Sequence, residues 1–138
     1  MDTANDEADL ARRIEMIEEA YEFFLAYAAR GTDGRGDAGV EAGIRPTLEG
    51  AIAALDGLEQ VARAETGPDN KPFHDWIDVL AEDVRKSLAG IRLVLAQPAI
   101  SSQLVDNLNA SIHLRALLTD LFVLDESVKA SGRGEIGR

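Results

Sequence analysis

The stretch from about Leu104 to Val128 limits this chain more than any other, because its apolar residues do not fit one helical stripe. Wound at 3.6 residues per turn, Leu104, Leu108, Ile112 and Phe122 define one side, with Val105 and Val123 just round from them. Leu114, Leu117, Leu118, Leu121 and Val128 take up much of the rest. A helix apolar over most of its circumference is buried on several sides at once. The segment is therefore expected to be the most enclosed helix, with the others packed about it. It does not read as a membrane span, since His113, Arg115 and Asp120 interrupt any apolar run approaching ~20 residues.

Three further helices are predicted before it. In the first, over about 6–30, Leu10, Ile14, Ile17, Tyr21, Phe24 and Ala28 recur at spacings of three and four. Met16, Phe23 and Tyr27 add a second stripe that either meets another helix or awaits a partner. Gly31 suits the position just past the helix end, and the glycine-rich segment Gly31–Gly43 reads as a long, mobile loop. The second helix covers about 44–64, with Pro46 in its first turn. Its smooth track of Gly50, Ala54, Gly57 and Val61 implies that another backbone approaches closely, since each helical glycine costs about 1 kcal/mol against alanine. The third covers about 71–97, with Phe73, Ile77, Leu80, Val84, Leu88, Ile91 and Leu95 as its stripe. Pro98 ends it, and Ser101 or Ser102 caps the fourth, over about 101–130. The pattern predicts an all-α, antiparallel up-down-up-down four-helix bundle with a long, largely buried fourth helix. One domain over 6–130 is expected, with disordered ends at 1–5 and 131–138.

A chain of 138 residues can bury one real core without staples. The sequence has no cysteine, which excludes disulfides and cysteine-ligated metals and suits a cytoplasmic protein. With 14 basic against 25 acidic residues the formal net charge is −11, and no Lys/Arg cluster interrupts it. Such a surface repels nucleic-acid phosphates and anionic lipid heads, so neither nucleic acid nor membrane is an expected partner.

Motifs that resemble sites lack their structural context. Gly34-Arg35-Gly36-Asp37-Ala38-Gly39 spells GxGxxG, but a dinucleotide site needs a strand before that turn, and a helix precedes it here. Arg35-Gly36-Asp37 reads as a chance triplet, and Asp33 and Asp37 fail as a calcium loop because Arg35 sits where an oxygen ligand belongs. Neither histidine follows a glutamate at the spacing of a di-iron bundle. Glu15, Glu18 and Glu22, like Asp75, Asp78 and Glu82, align on single faces, as magnesium-binding carboxylates do, but lie opposite the apolar stripes. His113 shares a polar strip with Asp106, Asn109 and Asp120, yet the residues after it are too bulky for a phospho-accepting histidine. His74 falls in the first turn of the third helix, where the dipole disfavours its protonation.

Arg115, set among Leu104, Leu108, Ile112 and Phe122, is expected to be a buried structural charge paired with Glu59 or with an acid across a subunit interface. No catalytic, cofactor or metal-ligating residues are assigned. The surplus apolar surface predicts a homodimer, with Met16, Phe23, Tyr27, Gly50, Ala54 and Gly57 as interface candidates. The function read from the sequence is non-enzymatic protein–protein contact, as an adaptor, regulator or assembly factor. The alternative is a helical enzyme or ligand-binding bundle that uses the carboxylate rows with a divalent metal.

Overall fold

The computed structural model describes residues 3–36 and 38–132, without side-chain detail for 3–8 and 38–42. All regular structure among the described residues is helical: α1 (Thr3–Ala28), α2 (Ala38–Leu55), α3 (Leu58–Thr66), α4 (Lys71–Leu95), α5 (Ser102–Ala110) and α6 (Ile112–Ala130). The packing is that of a helical bundle, with α1 against α2, α3 and α5, and α4 against α2, α3 and α6. No helix among the described residues is long and apolar enough to cross a membrane. The ends expected to be disordered lie mostly outside the described residues, but Thr3–Asn5 belong to α1.

The expected second and fourth helices are each broken. Gly57 takes φ 84°, ψ −1° between α2 and α3, a left-handed conformation that a residue with a Cβ rarely adopts. Its Cβ would meet only the flexible Arg13 guanidinium at 3.6 Å, so the glycine serves a break in the helix and not a close backbone approach. Arg13 completes the break: Nη1 donates to Ala54 O at 3.2 Å and to Asp56 O, satisfying carbonyls that the end of α2 leaves open. Arg45 does the same for α4, donating to Leu95 O at 2.9 Å and Gln97 O at 2.6 Å. Because α2 begins at Ala38, Pro46 sits in its interior and not in its first turn.

The second break changes the reading of the C-terminal third. Ser111 is extended at φ −59°, ψ 131°, and its side chain accepts from His113 N at 3.2 Å, capping α6. The break resets the helical phase, and α6 then buries one clean stripe of Leu114, Leu117, Leu121, Leu124 and Val128. Ile112, at 74% exposure, and Phe122, at 55%, point away from the protein. The expected enclosed helix is therefore two short amphipathic ones, and α1 and α4 are the spines of the bundle instead. The core includes Phe24, Tyr27, Leu48, Ile77, Leu80 and Leu117. The α1 stripe drifts from the predicted one, burying Ala20 and Tyr27 where Tyr21 and Ala28 are expected.

A polar seam joins the end of α1 to α5. Tyr27 Oη donates to Ile100 O at 2.5 Å, Ser102 Oγ to Tyr27 O at 2.7 Å, and Asn109 Nδ2 to Phe24 O at 3.1 Å. Thr32 and Ser102 exchange two further bonds, Ser102 N to Thr32 O at 2.9 Å and Thr32 N to Ser102 Oγ at 3.0 Å. The described part of the glycine-rich segment, up to Gly36, is thus pinned to the bundle and not a free loop; its Gly39–Gly43 portion is helical. Gly34 has φ +81°, and a Cβ there would fall 2.5 Å from the Ile100 carbonyl oxygen. Gly34→Ala is accordingly expected to destabilise by about 2 kcal/mol or more, read from the midpoint of urea unfolding. An unchanged midpoint would show that the 31–36 segment is not held against Ile100.

Candidate functional site

The sequence-predicted residues disperse. Met16, Phe23 and Gly50 do meet, lining a shallow cleft of about 260 Å³ between α1 and α2 with Glu19 and Thr47 at its edge. Tyr27 and Ala54 are buried in the core, at 1% and 2% exposure, and so present no surface to a partner. Gly57 stands apart at the α2–α3 break. Arg115 is exposed, which corrects its expected burial: the phase reset at Ser111 turns it outward with Ile112 and Phe122. No described Glu59 contact reaches it, because Glu59 Oε2 accepts from Arg63 at 3.0 Å.

Of the two carboxylate rows, that of Asp75, Asp78 and Glu82 is spent on neighbouring cations, whereas Glu15, Glu18 and Glu22 line up along α1. Asp75 holds Lys71 at 2.8 Å, Asp78 holds Arg63 at 2.6 Å, and Glu82 holds Arg85 at 2.7 Å. No group of three or more His, Cys, Asp or Glu residues is arranged to hold a metal ion among the described residues. His113 is exposed at the start of α6, and the Ser111 break separates it from Asp106 and Asn109. His74 is fixed between two groups that set its tautomer. Arg63 Nη1 lies 3.2 Å from Nδ1 and can only donate, while Gly67 O lies 2.6 Å from Nε2 and can only accept. The neutral ring protonated at Nε2 satisfies both, and it staples the α3–α4 turn.

What the sequence pattern does not single out is α6 as a functional surface. Phe122 and Val123 stand side by side, 55% and 43% exposed, on the ridge between two grooves. Toward α4 the groove is lined by Pro72, Phe73, Trp76, Val123, Leu124 and Ser127 and encloses about 230 Å³. Toward α1 it is lined by Glu18, Tyr21, Glu22, Leu118 and Phe122 and encloses about 350 Å³. This exposure follows from the α6 stripe: burying Leu117, Leu121 and Leu124 leaves Phe122 and Val123 on the outer arc. The capping serine at 111 is the signal that reveals it.

Beneath this surface a pair of carboxyls meets at the α4–α6 seam. Asp120 is 4% exposed, no donor meets its Oδ2, and its backbone carbonyl accepts from Trp76 Nε1 at 3.1 Å. Burial pushes its carboxyl up to about 7, and Asp83 of α4 adds to the rise by accepting a hydrogen bond from the protonated form and repelling the charged one. Ser87, one turn beyond Asp83, is also buried with an unpartnered hydroxyl. When Asp120 holds its proton, its interaction with Asp83 couples α6 to α4. No family model matches this chain, and comparison with curated proteins and with solved structures found no similar one.

The raised value fixes the sign of a pH effect. Between pH ~4 and ~7 the folded protein keeps a proton that the unfolded chain has released, so this pair's contribution to stability falls as pH rises and levels off above about 7. A shift from 3.8 to about 7 corresponds to at most about 4 kcal/mol. Asp120→Asn supplies a permanent donor to Asp83, so the variant is expected to gain on the parent progressively across that window and to be the more stable at pH ~8. Urea unfolding at several pH values checks it; parallel curves for the two proteins would remove the shared proton.

Proposed function

We propose that this acidic helical protein works by protein–protein contact, as an adaptor, regulator or assembly factor in the cytoplasm, with the outer face of α6 as its contact surface. The observation that carries the reading is the exposed Phe122–Val123 pair between two apolar grooves. Aromatic side chains such as Phe122 are what protein interfaces bury at their centres, and a ridge flanked by grooves offers it to matching helices. In this reading the six helices act as four antiparallel rods, α2 with α3 and α5 with α6 each making one bent rod. The metal-dependent alternative has less support: Asp75, Asp78 and Glu82 already neutralise Lys71, Arg63 and Arg85, and no three acidic or histidine side chains, the Glu15, Glu18 and Glu22 row included, converge among the described residues.

A photo-crosslinking amino acid placed at position 122, in the cells that make the protein, is expected to give a discrete adduct. The same group at Gln60, exposed on α3, is expected to give none. Equal diffuse labelling from both positions, or none from either, overturns the contact reading.

A second copy of the chain, seated on the α1/α2 cleft, is a second reading, favoured by the open space above Gly50, where an added Cβ meets nothing within 4 Å. Light scattering coupled to gel filtration would then give twice the chain mass for the parent and the single-chain mass for Gly50→Leu. A single-chain mass for both removes the homodimer.

A further inference from the structure

The groove between α1 and α6 joins an apolar floor to an acidic edge, and that combination selects its occupant. Tyr21, Leu118 and Phe122 form the floor and one wall, and Glu18 and Glu22 stand on the α1 side. Leu25, 47% exposed and one turn beyond Tyr21, carries the apolar lane further along α1. The lane stays open because α1 is held mainly by α2, α3 and α5, and α6 mainly by α4, so the two helices hardly touch. They form the walls of a trough into which a third helix packs, ridge into groove.

Charge decides which helix. No lysine or arginine is among the residues that line the groove, and exposed Arg115 of α6 lies a turn beyond Leu118, away from Glu18 and Glu22. At one end Lys129 interacts with Glu18 but is already tied to Asp125 at 3.0 Å, which leaves Glu22 the more available acid. A second copy of the chain brings a surface of net charge −11 against this edge, and like charges so placed disfavour pairing. Resting on the contact reading above, we infer that the α1/α6 trough receives an amphipathic helix of a partner protein, apolar along one stripe and rich in Lys or Arg beside it. Its apolar side chains, spaced at i, i+3/i+4 and i+7, enter between Tyr21 and Phe122. Its basic flank lies along Glu22 and fixes the direction in which the helix docks.

Three synthetic peptides of about 18 residues, long enough to form a helix, test this. One is a Leu/Lys amphipathic helix, one a Leu/Glu helix with the same Leu spacing, and one a Leu/Lys peptide with the Leu positions scrambled. Titration is followed by backbone amide NMR at ~0.15 M salt, where charges beyond about 8 Å are screened. The Leu/Lys helix is expected to bind saturably, one per chain, with shifts centred on Tyr21, Leu118 and Phe122, and the other two are expected not to. Glu18→Lys with Glu22→Lys is expected to weaken binding about tenfold. Glu49→Lys with Asp69→Lys, the same charge change at exposed positions elsewhere, is expected to change it by less than about twofold. Circular dichroism confirms that both double variants stay folded.

Equal losses in the two double variants, or binding of the Leu/Glu or scrambled peptide as tight as that of the Leu/Lys helix, overturn the inference. So does a doubled mass in light scattering that Phe122→Glu returns to the single-chain value, because a second copy then fills the trough. If position 122 crosslinks a partner but the Leu/Lys helix does not bind, this inference falls while the contact reading stands. If position 122 crosslinks nothing, both fall.

Discussion

The fold depends on what happens to the carbonyls at the end of α1. Phe24 O and Tyr27 O lie in the interior, and Tyr27 O also accepts from Arg30 N at 3.1 Å, so the bonds from α5 come in addition to those of the helix itself. Both are met from α5, by Asn109 and Ser102, while the Tyr27 hydroxyl returns a bond to Ile100 O. These bonds set the position of α5 along α1 and draw the 31–36 segment across the end of the bundle. Hydrophobic burial is non-directional and tolerates sliding. Hydrogen bonds with one allowed partner do not, so the seam fixes register where the leucines cannot.

Fixing α5 against α1 leaves α6 to be placed by other means. Continuing α5 as one straight helix would carry the Leu114–Leu121 stripe out of line with α4. Ser111 relieves this by ending α5, accepting a hydrogen bond from the amide of His113 and starting α6 in a new phase. The helix so released packs chiefly on α4, only lightly on α1, and over a seam that contains the Asp83–Asp120 pair. It combines a buried apolar stripe with one buried carboxyl, Asp120, whose Oδ2 lacks a partner. The outer face of α6 and the ground beneath it are thus products of one chain break.

How much of this was legible in the sequence divides by the type of signal. Periodicity located α1 and α4 well, because their stripes are long and nearly a single phase runs through each. It failed where a helix is interrupted by one residue, since a reset of phase looks the same as an apolar coat extending all round. Asp56-Gly57 and Ser111 are local stop and start signals that the continuity of apolar residues around them hides. Arg115 followed from the same error: placed on the unbroken helix it sits among leucines, and on α6 it faces water. Gly34 was visible as one of several glycines, but its close approach to Ile100 is tertiary and leaves no mark in its neighbours. The Asp83–Asp120 pair was likewise out of reach. Its two members lie on helices with all of α5 between them in the chain, and periodicity relates residues within a helix, not the faces of two.

The chain has one tryptophan, Trp76. It lines the α4/α6 groove, and its indole nitrogen donates to the backbone carbonyl of Asp120 at 3.1 Å. The only strong near-ultraviolet emitter in the molecule therefore stands at the seam where the buried carboxyl resides. Ionisation of that carboxyl changes the electric field across the indole, and a ligand lying in the groove changes the ring's contact with water. Emission colour and quenching by iodide thus report two separate events at one place, without any dye or tag. Because no second tryptophan contributes, each spectral change belongs to that seam alone.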